Sequence, residues 1–438
     1  MGLSDRLTRY AAARPRPIVI TAPHGTRPRL LAEAELARRG WRGATAPAGA
    51  DLLVLCGAPA DALSRAVEVV WTDVSPPRAL VELRGDLRPE EAASALDRAV
   101  GRLSDPRAWR LDAATRAGTT GRWPHPDGDG HGGHRGQNGH GDGHEDGHGD
   151  GHGGEQGGHR DGHGDHGGGD GDGDGGGHAH HMGAPGGVPM AGRGPDRDGL
   201  ALDRLHVPLG PVLADWPAGL VVETVLQGDV IQRARVEVAG GLGTERFWDA
   251  PWLAALEGRE VTRGEAARRT AASHLDSLGR LLAVAGWGGA AAEARWLRDR
   301  LLWGRRDEEV SGDFAGFARR VRRSRLLRWM LRDLGTATPA APGNGRAAPV
   351  GGAPDDVAAR LDGWLGETGP ALGRLGDESP LDDDEGPRGP VGDRPSEALL
   401  AVLPSLVTGA ELAAARLIVA GLDPDLDQVR PAHEASHG

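Results

Sequence analysis

The chain has 438 residues, enough for two or more domains, and its formal net charge of −12 argues against general nucleic-acid binding. Its single cysteine, Cys56, excludes a disulfide within the chain and any cluster held by several of its own cysteines. Much of its glycine, 72 residues in all, lies between His125 and His181, so flanks that can build cores surround a tract that cannot.

The first residues are charged and form no apolar run, so we expect no signal peptide. No apolar stretch is long enough to predict a direct membrane span. We therefore expect a cytoplasmic protein, with attachment to the periphery of a membrane complex left open.

The N-terminal flank predicts an α/β domain. Short apolar runs, rich in β-branched residues, predict four buried strands, at 17–23, 50–59, 67–77 and 79–83. One helix is predicted before Gly40 and another from Pro89, whose ring suits a first helical position. Strands that alternate with helices indicate a parallel sheet.

Ligands of parallel sheets bind beyond the carboxyl ends of the strands. Here those ends carry His24 and Gly25, but no glycine motif of the nucleotide-binding kind. We interpret His24 as a loop residue. Cys56 ends a buried strand, and we interpret it as a small buried apolar residue.

Thirteen of the 18 histidines lie between His125 and His181, among glycines and acidic residues. The glycines forbid a stable helix, so this composition predicts a disordered linker. Imidazole binds nickel, zinc and copper, and a flexible chain can wrap such an ion. The predicted metal ligands are His144, His148, His152, His159, His163, His166, His178, His180 and His181. The alternative is a neutral spacer.

The C-terminal flank predicts a β hairpin followed by helices. Two alternating apolar runs meet at Gly228-Asp229, a hairpin turn signal. Apolar stripes predict helices over 264–287, 290–304, 314–335, 355–368 and 396–421. We expect His274 to be a hydrogen-bonded helix residue rather than a ligand. The arginines from Arg319 to Arg332 either face an acidic partner or form a solvated surface with carboxylates from other helices.

Three segments of this flank resemble the large (49 kDa-type) subunit shared by respiratory NADH:quinone oxidoreductase and nickel-iron hydrogenase. "LHVPLGPVLADWPAGLVVETVLQGDVIQRARVEV" is similar to its opening β unit, with Gly210-Pro211, Gly219 and Gly228-Asp229 at matching places. "AARLIVAGLDPDLDQV" is similar to its C-terminal segment, and "RRTAASHLDSLGRLLAVAGW" to a core helix.

The N-terminal flank resembles the flavodoxin-like small (20 kDa-type) subunit through "ADLLVLCGAP" and "VWTDVSPPRALVEL". Together the resemblances imply a flavodoxin-like α/β domain over 1–120 and an α+β, mainly helical domain over 199–438. A disordered His/Gly/Asp-rich linker over 121–198 joins them. Disordered loops are expected near 336–353 and 375–395.

The residues that bind cofactors in that family are missing from this chain. The chain has neither the four cluster cysteines, nor two Cys-x-x-Cys pairs, nor a histidine in the turn "VLADWPAG". No catalytic or cofactor-binding residue is carried over, and no iron-sulfur cluster is expected. The resemblance then implies a degenerate scaffold, assembly or regulatory protein that works with a protein partner or by self-association. The alternatives are a nickel or zinc store that delivers metal to a client, and an oxidoreductase subunit whose cofactors come from partner chains.

Overall fold

The computed structural model describes residues 12, 14–117, 193–195, 201–304, 307–336 and 356–429. The nine predicted histidine ligands lie outside these residues, as does the loop predicted near 336–353 except for Thr336. All of the described residues belong to one compact unit. We refer to the contact region between residues 14–117 and residues 193–429 as the junction.

A parallel sheet forms the core of the N-terminal half. Its strands β1 (Pro17–Thr21), β2 (Leu52–Cys56) and β3 (Ala79–Leu83) are hydrogen-bonded in that order. The central strand is apolar throughout because both of its faces are covered. The helices of this half are α1 (Thr26–Arg38), α2 (Asp61–Asp73), α3 (Pro89–Leu103) and α4 (Pro106–Ala117).

The strand predicted over 67–77 is wrong, because most of this stretch belongs to α2. Leu63, Val67 and Val70 are buried at helical spacing against the sheet, whereas Val69 on the other side is exposed. An amphipathic helix therefore overrides the local β preference of the valines. Among the described residues the parallel sheet has three strands instead of the four predicted.

An antiparallel sheet opens the C-terminal half, with its strands in chain order β4 (Arg193–Pro195), β5 (Ala201–Leu209), β6 (Leu220–Gln227) and β7 (Val230–Val238). The last two strands meet at Gly228-Asp229, as predicted, and Gly228 has φ +63°. A minimal hairpin, β8 (Glu385–Gly386) and β9 (Gly389–Pro390), lies further along the chain.

Helices supply most of the C-terminal core. They are α5 (Ala250–Leu256), α6 (Arg263–Val284), α7 (Gly288–Trp303), α8 (Asp307–Arg323), α9 (Arg325–Leu331), α10 (Val357–Gly373), α11 (Pro395–Val407) and α12 (Leu412–Leu422). Helix α6 is central and packs against α7, α10 and α12. It is buried on nearly all sides along its middle, including polar residues such as Ser273 and Asp276. A charge carried there must find its partner inside the protein.

Two predicted helices are interrupted in the structure. The helix predicted over 314–335 is the pair α8 and α9, because Ser324 leaves the helical conformation and its hydroxyl caps the second helix through the N–H of Leu327. The helix predicted over 396–421 is α11 and α12, with Gly409 between them at φ +85°. The segment near 375–395, predicted as a disordered loop, contains the hairpin of β8 and β9. Val391 at its end is buried beside Trp252.

Gly219 places β6 directly against the N-terminal half. Its φ is +76°, and a Cβ atom there would lie 2.5 Å from the carbonyl oxygen of Ala239 and 2.7 Å from Pro23 Cγ. We expect Gly219→Ala to lower the free energy of unfolding by about 3 kcal/mol through strain and overlap. Gly228→Ala is the matched control, since its φ is also positive but nothing lies within 4 Å of its Cβ position. It should cost about 1 kcal/mol in urea unfolding. Equal losses would remove the close approach as the cause.

Candidate functional site

The segment after β7 covers the loops at the carboxyl ends of β1 and β2. The N–H of Ala60 donates to the carbonyl of Gly240 at 3.0 Å, and the N–H of Leu242 donates to the carbonyl of Ala58 at 2.8 Å. A Cβ atom at Gly241 would lie 2.4 Å from the carbonyl oxygen of Pro23, so the two main chains are in direct contact. This is the side of a parallel sheet on which ligands bind. Here protein main chain occupies it.

Asp427 lies over the loop that follows β1. Its carboxylate accepts the backbone N–H of His24 and, at 3.0 Å, the hydroxyl of Thr26. The ring Nδ1 of His24 lies 2.9 Å from the carbonyl oxygen of Glu245. His24 is thus a loop residue, and the C-terminal half holds both its backbone and its ring.

A buried ion network joins α1 to α6 and α7. At its centre, the Asp276 carboxylate accepts two hydrogen bonds from Arg29, at 3.1 and 2.7 Å. Arg298 donates to the same carboxylate at 2.6 Å and to Glu33 of α1 at 2.8 Å. Burial opposes the charge on Asp276, but Arg29, Arg280 and Arg298 outweigh it and hold its pKa well below the usual range. The carboxylate therefore stays ionised and fixes three elements together.

Asp423 extends the network toward the C-terminal segment. Its carboxylate accepts from Arg280 at 2.9 Å, from Arg388 at 2.7 Å and from the Ser277 hydroxyl at 2.6 Å. Burial opposes its charge, but Arg388 and Arg280 lower its pKa. Since Arg388 comes from the loop that carries β8 and β9, this loop is tied to the same network.

Asp425 and Asp427 are also buried, but the charges around them do not outweigh the effect of burial on their pKa values. Burial, followed by repulsion from Asp427, raises the pKa of Asp425 to about 8. Burial also raises the pKa of Asp427, to about 6, although His24 and Thr26 donate to it. Oδ2 of Asp425 is buried and has no hydrogen-bond partner among the described residues. Burial therefore favours the protonated form of Asp425 at neutral pH.

Cys56 and His274 are both buried. Burial raises the pKa of the Cys56 thiol and so disfavours the thiolate that binds metals, in agreement with its interpretation as an apolar residue. His274 Nε2 lies 3.4 Å from the carbonyl oxygen of Pro387. Burial, followed by the charge of Arg388, lowers the pKa of His274 to about 4, so its ring is neutral at pH 7.

Within the described ranges, no group of three or more His, Cys, Asp or Glu side chains is arranged to hold a metal ion. The predicted ligands His144 to His181 lie outside those ranges, so metal binding by the tract stays a prediction. None of the helices that the structure describes is both long enough and apolar enough to cross a bilayer.

Sequence reasoning missed Arg29, Asp276 and the acidic residues after α12 as parts of one site. One signal was present for Asp276, which lies between Leu275 and Leu278 in a helix rich in alanine. Small residues on every side of a helix indicate burial all round, and a carboxylate inside such a helix needs a cation.

Comparison with known proteins finds matches among solved structures alone. No protein-family model matches the chain, and no curated protein matches it. Among solved structures, one chain of the membrane-bound sulfane sulfur reductase, an archaeal respiratory membrane complex, aligns with a TM-score of 0.35 and 15% identity. The alignment covers 51% of this chain and 98% of that chain. A TM-score this low does not establish a shared fold.

Proposed function

We propose that the chain is a catalytically degenerate counterpart of the small and large subunits of NADH:quinone oxidoreductase or nickel-iron hydrogenase, fused in one polypeptide. In this proposal it acts by protein contact, as a scaffold, assembly or regulatory partner of a related redox complex. Its place is the cytoplasm, at the periphery of that complex. The sequence resemblances over 205–238 and 414–429 support the family relation.

The filled junction is the observation that carries the proposal. A cofactor beyond the ends of β1 and β2 would need the space that Gly241, His24 and Asp427 occupy. The groups around that space bind one another through direct hydrogen bonds and ion pairs. Such an arrangement fixes the relative position of the two halves, which is what a scaffold requires.

The turn after Gly210-Pro211 also supports a role without catalysis. The quinone-type relatives carry histidines there, whereas this chain carries Trp216. The Trp216 indole N–H donates to the carbonyl of Leu220 at 2.7 Å, and the ring is part of the main apolar core. The residue in this turn therefore supports packing.

A basic surface on α8 and α9 fits an acidic protein partner. Of its seven arginines, Arg320 and Arg328 pair with Glu293 and Asp362 from neighbouring helices. The other five have no carboxylate within 4 Å among the described residues; they are Arg319, Arg322, Arg323, Arg325 and Arg332. Leu326 and Trp329 are 70% and 74% exposed on α9. Arginine beside exposed tryptophan and leucine is the composition of a protein contact surface. We call it the arginine surface.

A cross-linking experiment tests the proposal. The full chain is expressed in its native host, cross-linked in cells and purified, and its partners are identified by mass spectrometry. We expect cross-links from the arginine surface to subunits of a quinone- or hydrogen-linked redox complex. Arg325→Glu with Leu326→Ala should reduce them about tenfold, because it reverses a charge and removes an exposed apolar contact.

Arg110→Glu with Leu111→Ala is the matched control. It changes the same residue pair on α4, where Leu111 is 72% exposed, and should leave the cross-links unchanged. Absence of redox-complex subunits, or equal loss in both variants, would overturn the proposal. Nickel or zinc that co-purifies with the chain and is lost on deletion of residues 125–181 would favour the metal-store alternative. An iron-sulfur absorbance band in the purified complex that Cys56→Ala abolishes would favour a subunit with borrowed cofactors.

A further inference from the structure

An open pocket of about 590 Å³ lies within the arginine surface. Helix α8, with the residue that follows it, forms one wall, and the turn between α6 and α7 forms the other. The lining residues are Trp287, Gly316, Arg319, Arg320, Arg323 and Ser324. The three arginines belong to the pocket and to the arginine surface alike, so a partner that covers the surface also covers the pocket.

The pocket is positively charged. Among the described residues, no carboxylate lines it. Arg319 and Arg323 are exposed, and neither has a carboxylate within 4 Å in the described part of the chain. They are four positions apart in one helix, so their charges lie on the same side and repel each other. A carboxylate from outside the chain would relieve that repulsion.

Acidic residues of α7 and α8 are engaged by other arginines. Glu293 of α7 pairs with Arg320. Glu309 and Asp313, in the first half of α8, both pair with Arg300, at 2.8 and 2.7 Å. These carboxylates therefore do not neutralise the two arginines that are free on the rim of the pocket.

Apolar surface adjoins the charge. Trp287 is half-buried, packs against the main apolar core and also lines the pocket. Gly316 lies in the middle of α8, and nothing lies within 4 Å of its Cβ position, so this part of the pocket is open. An apolar side chain from a partner could therefore pack on Trp287, and its burial would add to binding.

The spread of these features favours a polypeptide over a small anion or a membrane. The arginines without a carboxylate extend from Arg319 to Arg332 over two helices, farther than one small anion reaches. A helix that lies in a membrane surface needs a broad exposed apolar face. Leu326 and Trp329 are two side chains on a short helix, which is little apolar area for that purpose. The large apolar residues of α8 are buried in the core instead; they are Val310, Phe314, Phe317 and Val321.

We infer that the partner presents an acidic segment to this pocket: carboxylates that pair with Arg319 and Arg323, beside an aromatic or aliphatic side chain that packs on Trp287. The planar guanidinium groups suit carboxylates, and tryptophan with arginine is enriched at the centre of protein interfaces. The inference rests on the proposed function in one respect, since it takes the partner of the arginine surface to be a protein.

A peptide titration of the full chain tests the inference. The probe is a fluorescein-labelled peptide with several glutamates around one phenylalanine, and its binding is followed by fluorescence anisotropy at constant ionic strength. We expect saturable binding. Replacement of the peptide's glutamates by glutamine should weaken binding at least about tenfold. Replacement of its phenylalanine by glycine should weaken binding about threefold or more.

Two double variants of the chain test the charged part of the pocket. Arg319→Glu with Arg323→Glu should weaken binding of the acidic peptide about tenfold or more. Arg233→Glu with Arg235→Glu is the matched control, since it changes the net charge equally at two exposed positions of β7. It should change binding less than about twofold, because salt screens charges that lie far from the peptide.

Gly316→Leu tests the apolar part. Leucine favours a helix more than glycine does, and its side chain would fill the space beside Trp287. Binding of the phenylalanine peptide should fall to that of the glycine peptide, whose own binding should not change. Gly312→Leu is the matched control, because Gly312 lies one turn earlier in α8 and is equally open, but does not line the pocket. It should leave the binding of both peptides unchanged.

Failure of the acidic peptide to bind overturns the inference, and binding of phosphatidylcholine vesicles that contain phosphatidylserine in its place would identify a membrane-binding surface. Equal binding of the glutamine peptide, or equal losses in the two arginine variants or in the two glycine variants, also overturns it. The titration contains no redox complex, so its failure is distinct from failure of the proposed function. Peptide binding without cross-links to redox subunits in cells would keep the acidic site and remove the redox complex as its partner.

Discussion

Replacement of Asp276 by asparagine is expected to lower the free energy of unfolding by about 3–5 kcal/mol. Asparagine keeps the shape of the side chain, so no cavity contributes to the loss. It removes the one charge that Arg29, Arg280 and Arg298 share, with contacts between 2.6 and 3.3 Å. The amide also presents hydrogens where two guanidinium groups donate. The cost is large because the arginines remain buried with an excess of positive charge.

Urea unfolding followed by far-ultraviolet circular dichroism measures this loss. Asp362→Asn is the control, since Asp362 pairs with Arg328 at 3.1 Å where both side chains are more than 40% exposed. That change should cost about 1 kcal/mol or less. A loss of similar size for Asp276→Asn would mean that water screens the junction, and it would remove the rigid attachment of the two halves on which the scaffold proposal depends.

The hairpin and the long helices of the C-terminal half follow from local pattern. The hairpin follows from its turn and from the alternation on either side, because both are properties of neighbouring residues. Helix α6 follows from the apolar stripe with Leu275, Leu278 and Leu282. The same reasoning fails over Val67 to Asp73, where a run rich in β-branched residues predicts a strand. Only the packing of Val67 and Val70 on the sheet shows that this stretch is a helix.

The junction depends on pairings that local pattern cannot contain. Arg29 and Asp276 are 247 positions apart in the chain, and His24 and Asp427 are 403 apart. In the sequence, little distinguishes any of these residues from an ordinary polar residue of a helix or loop. Their partners are determined when the C-terminal half closes over the carboxyl ends of β1 and β2. The sequence therefore predicts where a parallel sheet would bind a ligand, but it does not predict that the chain itself fills the position.

A rise in pH from 5 to 8.5 is expected to lower the free energy of unfolding through Asp425. The pKa of this carboxyl group is about 8 in the folded protein and about 4 in an unfolded chain. Between these values the folded state binds more protons than the unfolded state, so the free energy of unfolding falls as the pH rises. Asp427, with a pKa of about 6, adds to the fall below pH 6. His274, lowered to about 4, acts in the opposite direction below pH 6.5.

Asp425→Asn separates these contributions. The asparagine cannot ionise, so the stability of the variant relative to the parent should rise on the order of 4 kcal/mol as the pH increases from 5 to 8.5. Its Oδ1 can still accept the N–H of Asp427, which Asp425 accepts at 3.1 Å. Asp382→Asn, at an exposed pair with Arg263, should differ from the parent by a constant amount across this range. Urea unfolding at four or five pH values measures both differences. Parallel curves for the parent and Asp425→Asn would show that Asp425 is already ionised near neutral pH. In that case a cation or solvent would have to reach its buried Oδ2.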